Sequence, residues 1–151
     1  MQKYWINVLQ KEKVVKAVGE GIMEFPGIDA RVNTMEKDDW VIFYSPREDM
    51  AGTIKLQTFS AIGQIADDTM FLVENSPGVQ AYRRKVNYLK VKEAPLIPLI
   101  QHLSCIRNKK HWGVVFKMDL IQISKEDFEL ISKAMGIDKL PEHLEEVPAF
   151  K

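Results

Sequence analysis

Apolar and polar residues alternate along several short stretches of the chain, and this period is typical of half-buried β-strands. Strands are predicted at residues 4–9, 40–45, 56–65, 69–74, 82–91, 112–117 and 120–123. In the first of these, one face carries the apolar side chains of Tyr4, Ile6 and Val8. The opposite face carries Trp5 beside the polar Asn7. Short strands with few helices are typical of an α+β domain around a curled or barrel-like sheet.

In other segments the apolar residues recur about every 3.6 positions, and this spacing predicts helices. The first helix is predicted at residues 10–20, where Val14, Val15 and Val18 fall on one stripe. A second is predicted at residues 95–106, with Pro98 near its first turn.

A third helix is predicted to begin after Ser124, which stands three positions before Asp127 and can cap the helix N-terminus. Phe128, Ile131 and Met135 follow at helical spacing and are predicted to pack on the sheet. A last helical turn is predicted at residues 141–147.

Composition and charge narrow the range of functions. The chain has 151 residues, enough for one domain, with 21 Lys and Arg against 21 Asp and Glu, so its formal net charge is zero. A protein that coats nucleic acid usually carries a basic excess, so any nucleic-acid contact is expected to be local. The single cysteine excludes an internal disulfide, and no apolar run approaches the ~20 residues of a membrane span. We therefore expect a cytoplasmic protein.

The sequence offers little catalytic chemistry. His102, His111 and His143 have no His or Cys partner at metal-ligand spacing, and the common phosphate-binding and nucleophile motifs are absent. Cys105 lies among apolar neighbours and is interpreted as a buried, inert thiol. The sequence thus predicts no catalytic residue, no metal and no cofactor.

Aromatic and basic side chains are the remaining candidates. Trp40, Phe59 and Trp112 are interpreted as core residues. Trp5 beside Asn7 could instead hold a planar, hydrogen-bonding ligand. Residues 83–85 read Arg-Arg-Lys, which fits either phosphate binding or a solvated strand edge.

Several segments together resemble one family, the EVE domain, a branch of the PUA-like superfamily. The matching segments are YWINV at 4–8, GIMEFPG at 21–27, DDWVIFYSPRED at 38–49, LQTFSAIGQI at 56–65, SPGVQAYRRKVNYL at 76–89 and HWGVVFKMDLIQISKEDFELI at 111–131. The resemblance implies one PUA-like α+β domain at residues 1–147, with a curved, barrel-like mixed sheet and flanking helices, and a tail at residues 148–151. It also implies a non-catalytic module that binds DNA or RNA through a modified or unpaired base.

The resemblance assigns residues to this function. It implies an aromatic ligand pocket built from Trp5, Asn7, Phe25, Pro26, Gly27, Tyr44, Ser45 and Tyr82. It places Arg83, Arg84 and Lys85 on the nucleic-acid backbone. Pro26 and Ile28 stand where close bacterial relatives usually have histidine and lysine, which implies a more apolar pocket.

Other functions remain open at this point. The same pocket could bind a free nucleotide-like metabolite, which the neutral net charge favours modestly. A hydrolase is disfavoured by the missing catalytic constellation. A role as an interaction module within a larger complex is compatible with the sequence.

Overall fold

The structure is a computed structural model that describes residues 2–26, 34–49, 51–52 and 54–141. Within these residues the chain forms seven strands, two α-helices and two 3₁₀ helices. The strands are β1 (Tyr4–Val8), β2 (Ile22–Pro26), β3 (Trp40–Arg47), β4 (Lys55–Ser76), β5 (Val79–Leu89), β6 (Ala94–Pro95) and β7 (Leu120–Ile123). The helices are α1 (Lys11–Glu20) and α2 (Lys125–Ala134), with 3₁₀ helices at Ile97–His102 and Trp112–Lys117. None of the helices in the described part is long and apolar enough to cross a membrane.

All seven strands join one mixed sheet in the order β2-β5-β4-β3-β1-β7, and β6 pairs with β4. The pairs are antiparallel except for β1 and β3, which run parallel with Trp5 opposite Val41 and Asn7 opposite Phe43. The parallel pair is connected through α1 and β2, so β1 and β3 end at the same edge of the sheet.

Each face of the sheet has its own core. On one face, Trp40 and Ile42 of β3 pack with Phe128 and Ile131 of α2 and with Met135 at its C-terminal end. This contact confirms the packing predicted for the helix after Ser124. On the other face, the core lies beneath α1 and is formed by Trp5, Val14, Met23, Phe25, Met35, Val41, Phe43, Ala61, Ile65, Val86, Tyr88 and Leu120.

The start of α2 is fixed by the predicted cap and by a buried carboxylate. The hydroxyl of Ser124 accepts a hydrogen bond from the Asp127 amide at 3.1 Å. The Asp127 side chain accepts bonds from the amides of Ser104 and Cys105 at 2.8 and 2.7 Å. Because Asp127 is 2% exposed, these bonds hold the segment after the first 3₁₀ helix against α2.

The structure corrects three predictions of secondary structure. Residues 112–117 form a 3₁₀ helix and not a strand, because Trp112, Val115 and Phe116 face the core at the spacing of one helical turn. The helix predicted at residues 95–106 is the 3₁₀ helix Ile97–His102, which follows the short strand β6. The strands predicted on either side of Asp67 and Asp68 are one strand, β4, with an irregularity between Ile65 and Met70.

The helix α1 lies where it was predicted, but its buried face differs from the predicted one. Val14 and Ala17 are its buried residues, whereas Val15 is 59% exposed. The turn predicted at residues 141–147 lies, apart from its first residue, outside the described residues.

Gly63 gives a test of the packing between β4 and β5. A methyl group at this position would overlap Cγ1 of Val86 and lie 3.0 Å from Cδ1 of Tyr88. Gly63→Ala is therefore expected to lower the free energy of unfolding by about 1–3 kcal/mol, measured by urea denaturation. Gly19→Ala is the matched control, since a methyl group there meets nothing within 4 Å and lies within α1. A Gly63→Ala protein as stable as wild type would contradict the packing described.

Candidate functional site

The residues predicted to share one pocket lie on opposite faces of the sheet. Trp5 and Phe25 belong to the core beneath α1, whereas Tyr44 belongs to the core beneath α2. The cause is the alternation of side chains along a strand, which directs Tyr44 and the adjacent Ser45 to opposite faces. Trp5 and Tyr44 therefore cannot contact the same ligand within one pocket.

Trp5 already has a hydrogen-bond partner. Its indole Nε1 donates to Oδ2 of Asp39 at 3.1 Å, and both residues are buried. The same carboxylate accepts from the amides of Lys3 and Glu36 at 2.9 Å each. The hydrogen bond between Trp5 and Asp39 thus links the start of β3 to β1, so both residues have a structural role.

The other predicted pocket residues on the α1 face are buried to different degrees. Phe25 is 3% exposed within the core, and Tyr82, its partner on β5, is half-buried. Ser45 is fully buried, and its hydroxyl lies 2.8 Å from that of Ser60. Pro26 ends β2, and Gly27 lies outside the described residues.

Asn7 keeps an unsatisfied donor on this face. The residue is 3% exposed, and its Nδ2 has no hydrogen-bond partner among the residues that the structure describes. A cavity of about 180 Å³ lies farther along the same side of the sheet, between Val18, Ser60 and Leu89.

The three basic residues predicted on the nucleic-acid backbone have different surroundings. Arg84 is 2% exposed and donates from Nη1 and Nη2 to the carbonyls of Met35 and Asp67, at 2.8 Å each. Burial lowers the pKa of Arg84, an effect that the neighbouring aspartates oppose. The prediction that Arg84 contacts the nucleic-acid backbone is therefore corrected, because its guanidinium is buried and already donates to two backbone carbonyls. Arg83 donates to Glu24 at 2.9 Å, and Lys85 is exposed.

Tyr44 lines the largest cavity that we describe, a groove of about 540 Å³ at the edge where β1 and β3 end. We call it the Tyr44 groove. Its walls come from the end of β1 and the chain after it, from β3 and the loop that follows, from β4, and from the 3₁₀ helix Trp112–Lys117 and the residues after it. The lining residues are Val8, Leu9, Gln10, Tyr44, Pro46, Arg47, Asp49, Lys55, Gln57, Trp112, Gly113, Phe116, Lys117 and Asp119. Sequence reasoning predicted only Tyr44 among these residues.

The aromatic wall of the groove consists of Tyr44, Trp112 and Phe116. The ring centroids of Tyr44 and Phe116 are 4.5 Å apart, and those of Phe116 and Trp112 are 6.5 Å apart in an edge-to-face arrangement. Tyr44 is 1% exposed, whereas Trp112 is half-buried, so Trp112 presents more of its ring to the groove. Trp112 also packs against the core beneath α2, as predicted, so it belongs to both the core and the groove.

Burial raises the pKa of Tyr44 to about 12. Its hydroxyl therefore stays protonated at neutral pH and adds no negative charge to the groove.

The polar lining of the groove combines cations with buried hydrogen-bonding atoms. Arg47, Lys55 and Lys117 are exposed and form no salt bridge with any described residue. Nε2 of Gln10 and Oδ1 of Asp49 are buried and lack a hydrogen-bond partner within the described part of the chain. The groove can therefore offer an aromatic surface and three exposed cations to a ligand.

The described residues give little support to catalysis. They contain no group of three His, Cys, Asp or Glu side chains placed to hold a metal. Burial, reinforced by Asp127, raises the pKa of the Cys105 thiol to about 12. A thiol with this pKa is a poor nucleophile at neutral pH.

The chain is similar to proteins of one family along most of its length. A family model described as the EVE domain matches residues 3–134. A UPF0310 protein from the gntR 5' region of Bacillus licheniformis is 40% identical over 126 residues, which cover 83% of this chain and 86% of that protein. A UPF0310 protein of Mycolicibacterium gilvum is 36% identical over 135 residues, or 89% of this chain and 96% of that protein.

Two solved structures share the fold at low sequence identity. Protein Atu2648 from Agrobacterium tumefaciens has a TM-score of 0.60 at 13% identity, covering 95% of this chain and 99% of that one. A mutant of ZmASCH from Zymomonas mobilis has a TM-score of 0.54 at 7% identity, covering 87% and 98%. The predicted α+β PUA-like fold with a curved mixed sheet is thereby confirmed.

Arg84 and Lys85 provide a paired test of the placement of the basic residues. Arg84→Met removes two hydrogen bonds from a charged donor and leaves two carbonyls without it, so the free energy of unfolding is expected to fall by at least about 1.5–3 kcal/mol. Lys85→Met is the control, with an expected change within about 0.5 kcal/mol, as is usual for an exposed residue. Urea denaturation measures both, and equal stability of the two variants would show that Arg84 is not held as described.

Cys105 gives a test that depends on pH. At pH 8 a thiol with a pKa of about 12 has roughly a thousandth of the thiolate of a thiol at the reference value of 9.0. Iodoacetamide should therefore modify native Cys105 very slowly and the urea-unfolded chain quickly. Because the folded pKa is the higher one, the contribution of this thiol to stability is complete below about pH 9 and is lost as pH rises towards 12. Alkylation of the native protein at the unfolded rate would contradict this.

Proposed function

The chain belongs to the EVE domain family, and we propose that it is a non-catalytic module that binds nucleic acid by holding a modified or unpaired nucleobase in the Tyr44 groove. Domains of this family and of the PUA-like fold often bind nucleic acid. The observation that carries the proposal is the aromatic wall of Tyr44, Trp112 and Phe116 beside three exposed cations, Arg47, Lys55 and Lys117. The proposal keeps Tyr44 from the predicted pocket and leaves out Trp5 and Phe25, which lie on the other face of the sheet.

Stacking supplies the main attraction in this proposal. Trp112 is half-buried and lines the groove, so the exposed part of its ring can stack on a base. Stacking of a base on an aromatic side chain contributes about 1–3 kcal/mol. Phe116 packs against both Tyr44 and Trp112 and so helps to hold the indole in position.

The cations around the groove suit the phosphates that flank such a base. Arg47 and Lys55 are register partners on β3 and β4, and Lys117 approaches from the 3₁₀ helix. Three exposed cations on different elements can contact phosphates on either side of one nucleotide. Asp49 and Asp119 also line the groove and limit its net positive charge, so binding to the phosphate backbone alone should be weak.

The volume of the groove favours a single base with room for a substituent. About 540 Å³ lies within the range of about 300–1,000 Å³ that is usual for small-molecule sites. Extracting a paired base from a duplex costs a few kcal/mol, which one stacking contact barely offsets. We therefore expect single strands, mismatched sites and free nucleosides to bind better than intact duplexes.

A free nucleotide-like metabolite is the second candidate ligand. The formal net charge of zero favours it, because few counterions would be released when a long nucleic acid binds. If the groove binds a mononucleotide as tightly as a single strand that contains it, the metabolite is the better description.

Trp112 provides the central test. Trp112→Ala should weaken binding of a fluorescent single-stranded oligonucleotide by about 5- to 150-fold, which corresponds to the loss of one stacking contact. Trp112→Phe should retain most of the affinity because it keeps an aromatic surface. Fluorescence anisotropy with DNA and RNA strands, with melting temperatures for each variant, makes the measurement.

A matched tryptophan and a salt titration complete the design. Trp40→Phe changes a tryptophan that is 1% exposed in the core beneath α2 and should leave affinity unchanged in a folded protein. Lys117→Ala should lower the slope of log K against log salt by about 0.7 if Lys117 contacts one phosphate of a single strand. Wild-type affinity in a folded Trp112→Ala protein would rule out the Tyr44 groove as the base site.

A further inference from the structure

Positive charge is unevenly distributed along this neutral chain. Residues 94–118 form its longest stretch without Asp or Glu, and they carry four Lys or Arg residues. Three of these lie within residues 107–111, Arg-Asn-Lys-Lys-His, which we call the basic loop. The fourth is Lys117 of the Tyr44 groove. A cluster of cations without nearby carboxylates in the sequence allows a protein of zero net charge to attract phosphates locally.

Two cations of the basic loop, Arg107 and Lys110, are available to an anion. Both are exposed, and neither forms a salt bridge with any residue that the structure describes. Lys109 differs, because it is half-buried and its Nζ donates to the carbonyl of Leu103 at 2.6 Å. The charge that the loop presents to a ligand therefore comes from Arg107 and Lys110.

Hydrogen bonds hold the basic loop in shape. Oδ1 of Asn108 accepts from the amides of Lys110 and His111 at 3.1 and 3.2 Å, as in an Asx turn. The carbonyl of His111 accepts from the amide of Val114 at 3.2 Å, which joins the loop to the 3₁₀ helix of the groove. A loop held in this way loses little conformational freedom when a ligand binds.

The basic loop adjoins the groove along the chain. His111 is followed directly by Trp112, which lines the groove. Because consecutive Cα atoms are about 3.8 Å apart, the Cα atom of Lys110 lies within about 8 Å of that of Trp112, and the Cα atom of Arg107 within about 19 Å. One strand of B-DNA carries a phosphate about every 3.4 Å of helix axis. A strand that stacks one base on Trp112 can therefore reach both cations within a few nucleotides.

We propose that the basic loop continues the phosphate-binding surface of the Tyr44 groove, so that the ligand is a single strand of several nucleotides. The inference rests on the proposed function and decides between its two candidate ligands, the strand and the free nucleotide-like metabolite. Arg107 and Lys110 contact phosphates beyond the nucleotide in the groove, whose own phosphates face the cations there. Such contacts position the strand without reading its sequence. The loop thereby takes the role that the sequence assigned to Arg84.

Strand length provides the first measurement. Nucleoside 5'-monophosphates, trinucleotides and hexanucleotides of a single base, adenine, cytosine or thymine in DNA and uracil in RNA, compete with a labelled hexanucleotide for the wild-type protein. The hexanucleotide should bind more tightly than the mononucleotide. Its slope of log K against log salt should be steeper by at least about 1.4, which is 0.7 for each of two added phosphate contacts. Equal affinity and equal slope for the two ligands would overturn the inference.

A double substitution tests the loop itself. Arg107→Gln combined with Lys110→Gln should lower the hexanucleotide slope by about 1.4, which corresponds to about sevenfold in affinity between 50 and 200 mM salt. The mononucleotide does not reach the loop and should lose less than about twofold in affinity.

The matched control is Lys13→Gln combined with Lys16→Gln. It removes the same charge from two exposed positions of α1, which covers the opposite face of the sheet from Tyr44. This control should keep the wild-type slope, and melting temperatures establish that both double variants are folded.

The outcomes separate this inference from the proposed function. If Trp112→Ala weakens every ligand but the loop variant keeps the wild-type slope, the groove binds bases and the path over the loop is wrong. The same holds if the α1 control lowers the slope as much as the loop variant does. If Trp112→Ala has no effect on any ligand, the proposed function itself fails. A slope that falls only in the loop variant, and only for strands longer than one nucleotide, supports the inference.

Discussion

The alternation of side chains along β3 is the constraint on which the rest of the structure depends. β3 lies inside the sheet between β1 and β4, and its first six residues are all buried. Trp40, Ile42 and Tyr44 pack beneath α2, whereas Val41 and Phe43 pack beneath α1. A shift of one position would exchange these two sets, so the register of the strand is strongly specified. The position of Tyr44 at the groove follows from this register and not from the needs of a ligand.

Two buried charged side chains, those of Asp39 and Arg84, connect the segment before β3 to the rest of the sheet. Asp39 accepts hydrogen bonds from β1 and from the preceding turn, and Arg84 of β5 donates to the carbonyl of Met35. Both charges therefore act on the same segment, residues 35–39, from neighbouring parts of the fold. These bonds explain why Trp5 and Arg84, which look like ligand contacts in the sequence, serve the structure. A buried charge must be satisfied within the protein, and each of these residues has its partner in a segment remote in sequence.

Local patterns predicted the elements better than the site. The alternation of apolar and polar residues predicted the two faces of β1 correctly. The helical spacing of apolar residues predicted that α2 packs on the sheet through Phe128. The spacing of Trp112, Val115 and Phe116 was present in the sequence, but a segment of six residues is too short for its period to separate a strand from a helical turn. The groove brings together the ends of β1 and β3 and the segment near Trp112. No local pattern predicts such a convergence, because it depends on the parallel pairing of β1 with β3 and on the course of the chain after β6.

The balance of charge determines where binding energy must come from in the proposed complex. The formal net charge is zero, and Asp49 and Asp119 accompany the cations of the groove, so counterion release contributes little. Stacking alone gives about 1–3 kcal/mol. The aromatic wall of Tyr44, Trp112 and Phe116 therefore has to supply most of the attraction in the proposed complex.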